Sequence, residues 1–212
     1  MPSRLVIAGS GFAGTWAAIA AARARSLATG AQDLAITVVS PSPHLPIRPR
    51  FYEPVLENLT PDIGPLLREM DVEHLAGEVE GVDAAARSVT VRQASGATTS
   101  LAFDRLVLAT GSRLASPSVP GFAEHAFNVD QSEDALKLDA HLQELKQRPD
   151  DDARRTAVIV GGGFTGIEVA CDFPQRLRAV LGESAPVRVV LVEQADAIGP
   201  GLGAGPRPVI EQ

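Results

Sequence analysis

Apolar and polar positions alternate along this chain in short blocks, and the block lengths predict the elements. Leu5–Ala8 is a four-residue apolar run that ends at glycines. An Ala-rich, helix-like stretch follows over Ala13–Ala28, and a second apolar run covers Leu34–Val39. Residues 41–54 (PSPHLPIRPRFYEP) hold five prolines and read as a loop. Thr60–Met70 reads as a short helix with Pro61 near its start and Ile63, Leu66, Leu67 and Met70 on one side. Val72–Val82 reads as one strand with its flanking turn. Ser88–Arg92 and Thr98–Ala102 flank a Gly-containing turn and predict a hairpin. Leu106–Ala109 is a buried-type strand, and Arg113–Gly121 a Pro/Ser loop. Ser132–Arg148 is predicted helical, with Ser132 as N-cap and Glu133 and Asp134 in the first turn. Pro149–Arg155 is a charged linker, and Pro206-Arg207-Pro208 opens a last helix.

The pattern repeats once. Residues 5–14 read LVIAGSGFAG and residues 157–166 read AVIVGGGFTG. In each, a strand-like run enters G-x-G-x-x-G and a helix-like stretch leaves it. The next strand-like run is Leu34–Val39 in one case and Val187–Val192 in the other, ending at Ser40 and Glu193. From the first glycine to these residues is 31 positions (40 − 9) and 32 positions (193 − 161). One such glycine motif is a weak signal. Two in matched strand–turn–helix settings predict dinucleotide binding. The first glycine allows the tight turn, the second admits the pyrophosphate to the backbone, and the third lets helix and strand pack closely. The helix start then offers free N–H groups and a positive dipole end. Periodicity alone gives βαβ units with a parallel sheet.

Composition narrows the picture. Nineteen Lys+Arg against 26 Asp+Glu give −7, which argues against a nucleic-acid partner. A single cysteine, Cys171, excludes an internal disulfide, a CxxC redox pair and a cysteine-built zinc site. Its spacing with Phe164 and Ile167 (i, i+3, i+7) predicts a place on the core face of its helix, and Phe12 and Trp16 are expected to pack. His44, His74, His125 and His141 lack metal-ligand spacing and are read as structural or exposed. No run approaches the ~18 apolar residues of a spanning helix. The expectation is a cytoplasmic protein with no transmembrane segment in this sequence.

These segments, with HLPIRPRFYE at 44–53, GEVEGVD at 77–83, DRLVLATGS at 104–112, VIVGGGFTGIEVA at 158–170 and VRVVLVEQ at 187–194, resemble the two-dinucleotide-binding-domain flavoproteins, the FAD-dependent pyridine nucleotide oxidoreductases. The resemblance is greatest to the type II NADH dehydrogenase branch. It implies an α/β chain: a Rossmann-type FAD-binding domain with an antiparallel hairpin insertion over 1–112, a connecting loop, helix and linker over 113–155, and the start of a second Rossmann-type, NAD(P)-binding unit over 156–212.

The resemblance also implies residue roles. Gly9, Gly11 and Gly14, with Phe12 and Ala13 between them, would meet the FAD pyrophosphate. Val79 would offer backbone groups to the adenine, and Ala109, Thr110 and Gly111 would mark the chain's crossing beside FAD. Gly161, Gly163 and Gly166, with Phe164 and Thr165, would hold the nicotinamide cofactor, and Glu193 its adenosine ribose. A carboxylate there favours NADH over NADPH, because it repels a 2′-phosphate. Glu168 would lie two residues into the following helix near the nicotinamide end, as a catalytic group; its other reading is a first-turn acid on the helix dipole. Ser40 stands where the family carries Asp or Glu for the FAD ribose; its hydroxyl would still hydrogen-bond there without the charge-assisted strength, with Ser42 or His44 as neighbouring help. Read from position alone, Arg48 and Arg50 lie in the Pro loop, either reaching flavin or substrate anions, Arg48 as the cofactor contact, or solvated on the loop.

The implied activity is hydride transfer from NADH to flavin and on to a quinone-like acceptor. The expected partners are that acceptor and a second copy in a homodimer. The chain is expected to be an N-terminal portion of a longer enzyme, with membrane attachment, if any, through a segment outside it. The alternatives are a non-catalytic FAD- or nucleotide-binding fragment and a reductase of a small redox protein.

Overall fold

The structure is a computed structural model that describes residues 2–28, 33–115, 118–203 and 205–210. Residues 116 and 117 of the predicted loop 113–121 lie outside that set. The chain forms two compact units. Unit 1 is residues 1–47 and 57–115; unit 2 is residues 48–56 and 116–212.

Unit 1 begins with β1 (Ser3–Ala8), α1 (Phe12–Leu27) and β2 (Leu34–Ser40). It continues with α2 (Gly64–Glu69), β3 (Glu73–Ala76), β4 (Glu78–Asp83), β5 (Ser88–Arg92), β6 (Thr98–Ala102) and β7 (Arg105–Leu108). A parallel sheet runs β3-β2-β1-β7, with Ala8 opposite both Val39 and Leu108. An antiparallel sheet runs β4-β5-β6. Alternation along β1 and β2 sends side chains to two faces. Ile7, Ile36 and Val38 meet Ala18 and Ala22 of α1. Val6 and Val39 meet Val89, Val91 and Phe103 under the antiparallel sheet. The small side chains of α1 let the helix lie close on the strands. Arg25 near its end donates to the carbonyls of Leu34 (2.9 Å), Met70 (2.6 Å) and Asp71 (3.1 Å), tying helix, strand and corner together.

The predicted single strand Val72–Val82 is two strands in two sheets. Gly77 sits at the switch, and a Cβ there would lie 2.5 Å from Val91 Cγ1 and 2.8 Å from the Arg92 carbonyl. Only a glycine admits β5 that close. The predicted helix over 60–70 begins later, at Gly64, with Pro65 in its first turn.

Unit 2 holds a 3-10 turn at Arg48–Arg50, α3 (Phe122–His125), α4 (Ser132–Glu144) with a 3-10 turn at Leu145–Gln147, and α5 (Asp152–Arg155). It closes with β8 (Thr156–Val160), α6 (Phe164–Leu181), β9 (Arg188–Val192) and α7 (Arg207–Ile210). β8 and β9 pair in parallel, Val160 opposite Val192. Leu138, Leu142 and Leu145 pack against Val169, Phe173 and Leu177 of α6. The segment 48–56 joins this unit: Tyr52 packs against that cluster.

Four expectations are corrected by the structure. Gln131, not Ser132, is the N-cap of α4, and it makes no side-chain cap bond. Part of the charged linker is helical, because Asp151 caps α5 by accepting from the Arg154 N–H. The buried stripe of α6 is Val169, Phe173, Arg176 and Leu177; Phe164 and Cys171 are exposed, so the predicted core face is wrong. Phe12 and Trp16 are likewise 46% and 64% exposed rather than packed. Among the described residues no helix is long and apolar enough to cross a membrane.

The two βαβ units differ in what covers them. Val158 and Val160 of β8, the counterparts of buried Val6 and Ala8, are each 60% exposed.

Candidate functional site

The two glycine turns are nearly the same object. Gly9 has φ +110° and Gly161 φ +105°, a region that side chains other than glycine rarely enter. Each donates its N–H to the facing strand end: Gly9 to the Val39 carbonyl at 2.7 Å, Gly161 to the Val192 carbonyl at 2.8 Å. A Cβ on Gly14 would lie 1.9 Å from the Gly9 carbonyl oxygen, and one on Gly166 1.8 Å from that of Gly161. The third glycine is therefore where helix touches turn.

The middle glycine is different. Gly11 and Gly163 are the N-caps of α1 and α6, at φ −65°, ψ −175° and φ −72°, ψ −175°. A Cβ on either would point into open space. Any residue could adopt that backbone, so what glycine supplies is access. The amides of Phe12, Ala13 and Gly14, and of Phe164, Thr165 and Gly166, start their helices and have no intrahelical acceptor. Neither N-cap supplies a side-chain bond, and neither helix has an acid in its first turn. By contrast, α4 carries Glu133 and Asp134 there. Two uncovered positive helix ends thus face open space, the arrangement that accepts a phosphate. The residues fit a dinucleotide at both turns.

The strand ends beside the turns differ. Glu193 accepts the Gly162 N–H on Oε2 at 2.6 Å and the Ala195 N–H on Oε1 at 2.9 Å. These backbone donors hold its carboxyl below the usual carboxylate range. Ser40 is buried; its Oγ donates to the Ser42 carbonyl at 2.7 Å and lies 2.9 Å from His74 Nε2. Burial holds the His74 imidazole below its ordinary value.

The remaining expected residues fall as follows. Ala109 continues the β7 ladder through its N–H to the Ala8 carbonyl (2.8 Å), and its own carbonyl lies against Gly9. Thr110 and Gly111 follow it, Gly111 at φ +72°. Val79 lies on β4, where the register shifts before Gly81. Arg48 is engaged by Asp130, through the carboxylate and, at 3.2 Å, the carbonyl. Arg50 forms a two-point pair with Glu53, both contacts at 2.6 Å, which holds Glu53 low. Glu168 is exposed. It is the fifth residue of α6, past the first turn and farther in than expected, so the first-turn dipole reading does not apply. Its charge reaches Tyr52, whose phenol is pushed up by burial and then by Glu168, Glu53 and Asp172.

One residue escaped the sequence reading. Arg176 is 5% exposed on the apolar stripe of α6; it donates to the Tyr52 carbonyl at 3.0 Å and to Asp139 Oδ1 at 3.3 Å. It anchors the segment 48–56. His74, expected to be structural or exposed, is half-buried on β3 and held against Ser40.

The chain belongs to the pyridine nucleotide-disulphide oxidoreductase family, whose pattern matches residues 3–212. An NADH dehydrogenase-like protein of Mycobacterium tuberculosis is 44% identical over 99% of this chain and 52% of its own length. A demethylphylloquinone reductase of Synechocystis is 33% identical over 88% of this chain and 46% of its own. The chain spans about half the length of the curated relatives it matches. Among solved structures, an NDH2 from Plasmodium falciparum in complex with NADH has a TM-score of 0.77 at 18% identity, over 95% of this chain and 44% of that one. That likeness supports the Rossmann-type α/β fold.

Proposed function

We propose that this chain is the dinucleotide-binding portion of an FAD-dependent NAD(P)H oxidoreductase that passes hydride from NADH to flavin and electrons on to a quinone-like acceptor. The observation that carries it is the pair of matched glycine turns, each with a bare helix start and open space at its middle glycine. Relatives named as a demethylphylloquinone reductase and as type II NADH:quinone oxidoreductases support the acceptor class.

When bound, the nicotinamide and flavin rings supply the hydride chemistry themselves. The protein's residues hold and orient them. In this reading Gly11 and the amides of α1 take the FAD pyrophosphate, with Val79 toward the adenine and Ala109–Gly111 beside the flavin dinucleotide. Gly163 and the amides of α6 take the NADH pyrophosphate. Glu193, already kept ionised by two backbone donors, accepts from the adenosine ribose and disfavours a 2′-phosphate. Glu168, one turn farther along α6, serves the nicotinamide end.

The test is an absorption spectrum of the purified chain reconstituted with FAD, then anaerobic NADH addition. A bound flavin band that bleaches is expected. A folded sample that takes up no FAD refutes the reading.

A further inference from the structure

At the end of β2 the two units part in chemistry. In unit 2 a carboxylate closes the glycine loop: Glu193 accepts the Gly162 N–H at 2.6 Å. In unit 1 the position of Gly162 is taken by Ser10, and that of Glu193 by Ser40. Ser10 Oγ donates to the His44 carbonyl at 2.9 Å and lies 3.3 Å from the Ser42 carbonyl. Ser40 Oγ donates to the same Ser42 carbonyl at 2.7 Å. A hydroxyl has one hydrogen, so toward His74 Nε2, 2.9 Å away, Ser40 is the acceptor. This places the ring proton on Nε2 and commits Ser40 on both sides. Both serines are buried. The carboxylate that acts on His74 is Asp62, whose Oδ1 accepts the Gly64 N–H at 2.7 Å. The loop closure that needs an anion in unit 2 is made here by hydroxyls, carbonyls and an imidazole.

We propose that Ser40, held by His74, is a specificity-determining position that leaves the first dinucleotide site indifferent to a phosphate on the adenosine 2′-oxygen, whereas Glu193 makes the second site reject it. A carboxylate at the strand end accepts the ribose hydroxyls and repels a 2′-phosphate. A hydroxyl whose proton goes to the Ser42 carbonyl and whose oxygen accepts from His74 brings no charge that attracts or repels either. The first site then holds its adenine dinucleotide through the pyrophosphate and the rest of the molecule, with the ribose read by no charge. This rests on the reading that unit 1 takes FAD.

The experiment is displacement of FAD from the full chain by two probes, ADP-ribose and 2′-phospho-ADP-ribose, read by recovery of flavin fluorescence. Only loss from the first site gives signal. The expected result is that the two probes act within about threefold of each other, and that Ser40→Asp widens the ratio to at least about tenfold against the phosphorylated probe. A wild-type preference of about tenfold or more for ADP-ribose overturns the proposal, as does a folded Ser40→Asp chain with an unchanged ratio. His74→Gln, neutral at every pH, is expected to keep the ratio near unity. If Ser40→Asp fails to fold, the wild-type ratio decides alone. A chain that never binds FAD refutes the proposed function instead.

Discussion

Gly163→Ala and Gly166→Ala make the same chemical change three residues apart, and the structure assigns them opposite consequences. At Gly166 the new methyl would lie 1.8 Å from the Gly161 carbonyl oxygen. An ordinary C···O contact is roughly 3.3 Å, so helix or turn must move by about 1.5 Å. Overpacking of that kind costs about 1–3 kcal/mol or more, which in a chain of this size is roughly 2–12 °C in the unfolding midpoint. At Gly163 the methyl meets nothing within 4 Å and φ is −72°, ordinary for any residue. The midpoint should shift by no more than about 2 °C, within the small cost of losing an N-cap glycine. On the proposed reading the methyl stands in the approach to the α6 amides, so NADH affinity should fall about tenfold or more, or about 1.4 kcal/mol. The assays are thermal melting by circular dichroism and NADH titration by fluorescence. Equal thermal losses in the two variants, or a Gly163→Ala chain that binds NADH like the parent, would refute the reasoning. Gly11→Ala and Gly14→Ala repeat the test for FAD.

Arg176→Met leaves the Tyr52 carbonyl and Asp139 without their donor, and should cost about 1–3 kcal/mol in urea unfolding. The His74 imidazole titrates below its unfolded value of 6.5. Its contribution to stability is therefore fully present above about pH 6.5 and lost as pH falls through the folded value. Melting midpoints between pH 8 and 5 should fall less on acidification in His74→Gln than in the parent. Val160→Lys, at an exposed position, should change stability by no more than about 0.5 kcal/mol. Val6→Lys, at the buried counterpart of Val158, should leave unit 1 unfolded by circular dichroism.

The glycine turns, the strands that enter them and the hairpin were legible because each is set by local chemistry: a positive φ, an alternation of two, a turn. The faces of the helices were also present in the sequence, though not where the apolar spacing pointed. Gly166 must touch the turn, so α6 is phased by it. Residues three, seven, ten and eleven farther on are Val169, Phe173, Arg176 and Leu177, the buried stripe. Gly14 phases α1 in the same way through Ala18 and Ala22, which turns Phe12 and Trp16 outward. Hydrophobicity of single residues misled where the packing glycine did not. The break at Gly77 could not be read locally, because it depends on Val91 and Arg92 arriving from another strand. The buried Arg176 is a further case, since its partner is a carbonyl 124 positions away.

The segment 48–56 is made by the ribosome long before the unit it belongs to. Unit 1 has all its residues once position 115 is synthesised, yet nine residues inside that span serve unit 2. Until α6 emerges, the Tyr52 ring lacks its cluster and the Tyr52 carbonyl lacks Arg176. The boundary is crossed three times, after 47, after 56 and after 115. A gene cut at 115 would therefore leave this segment on the first fragment and the second without the Tyr52 contacts of α6. Swapping either unit between relatives calls for moving 48–56 with the second half.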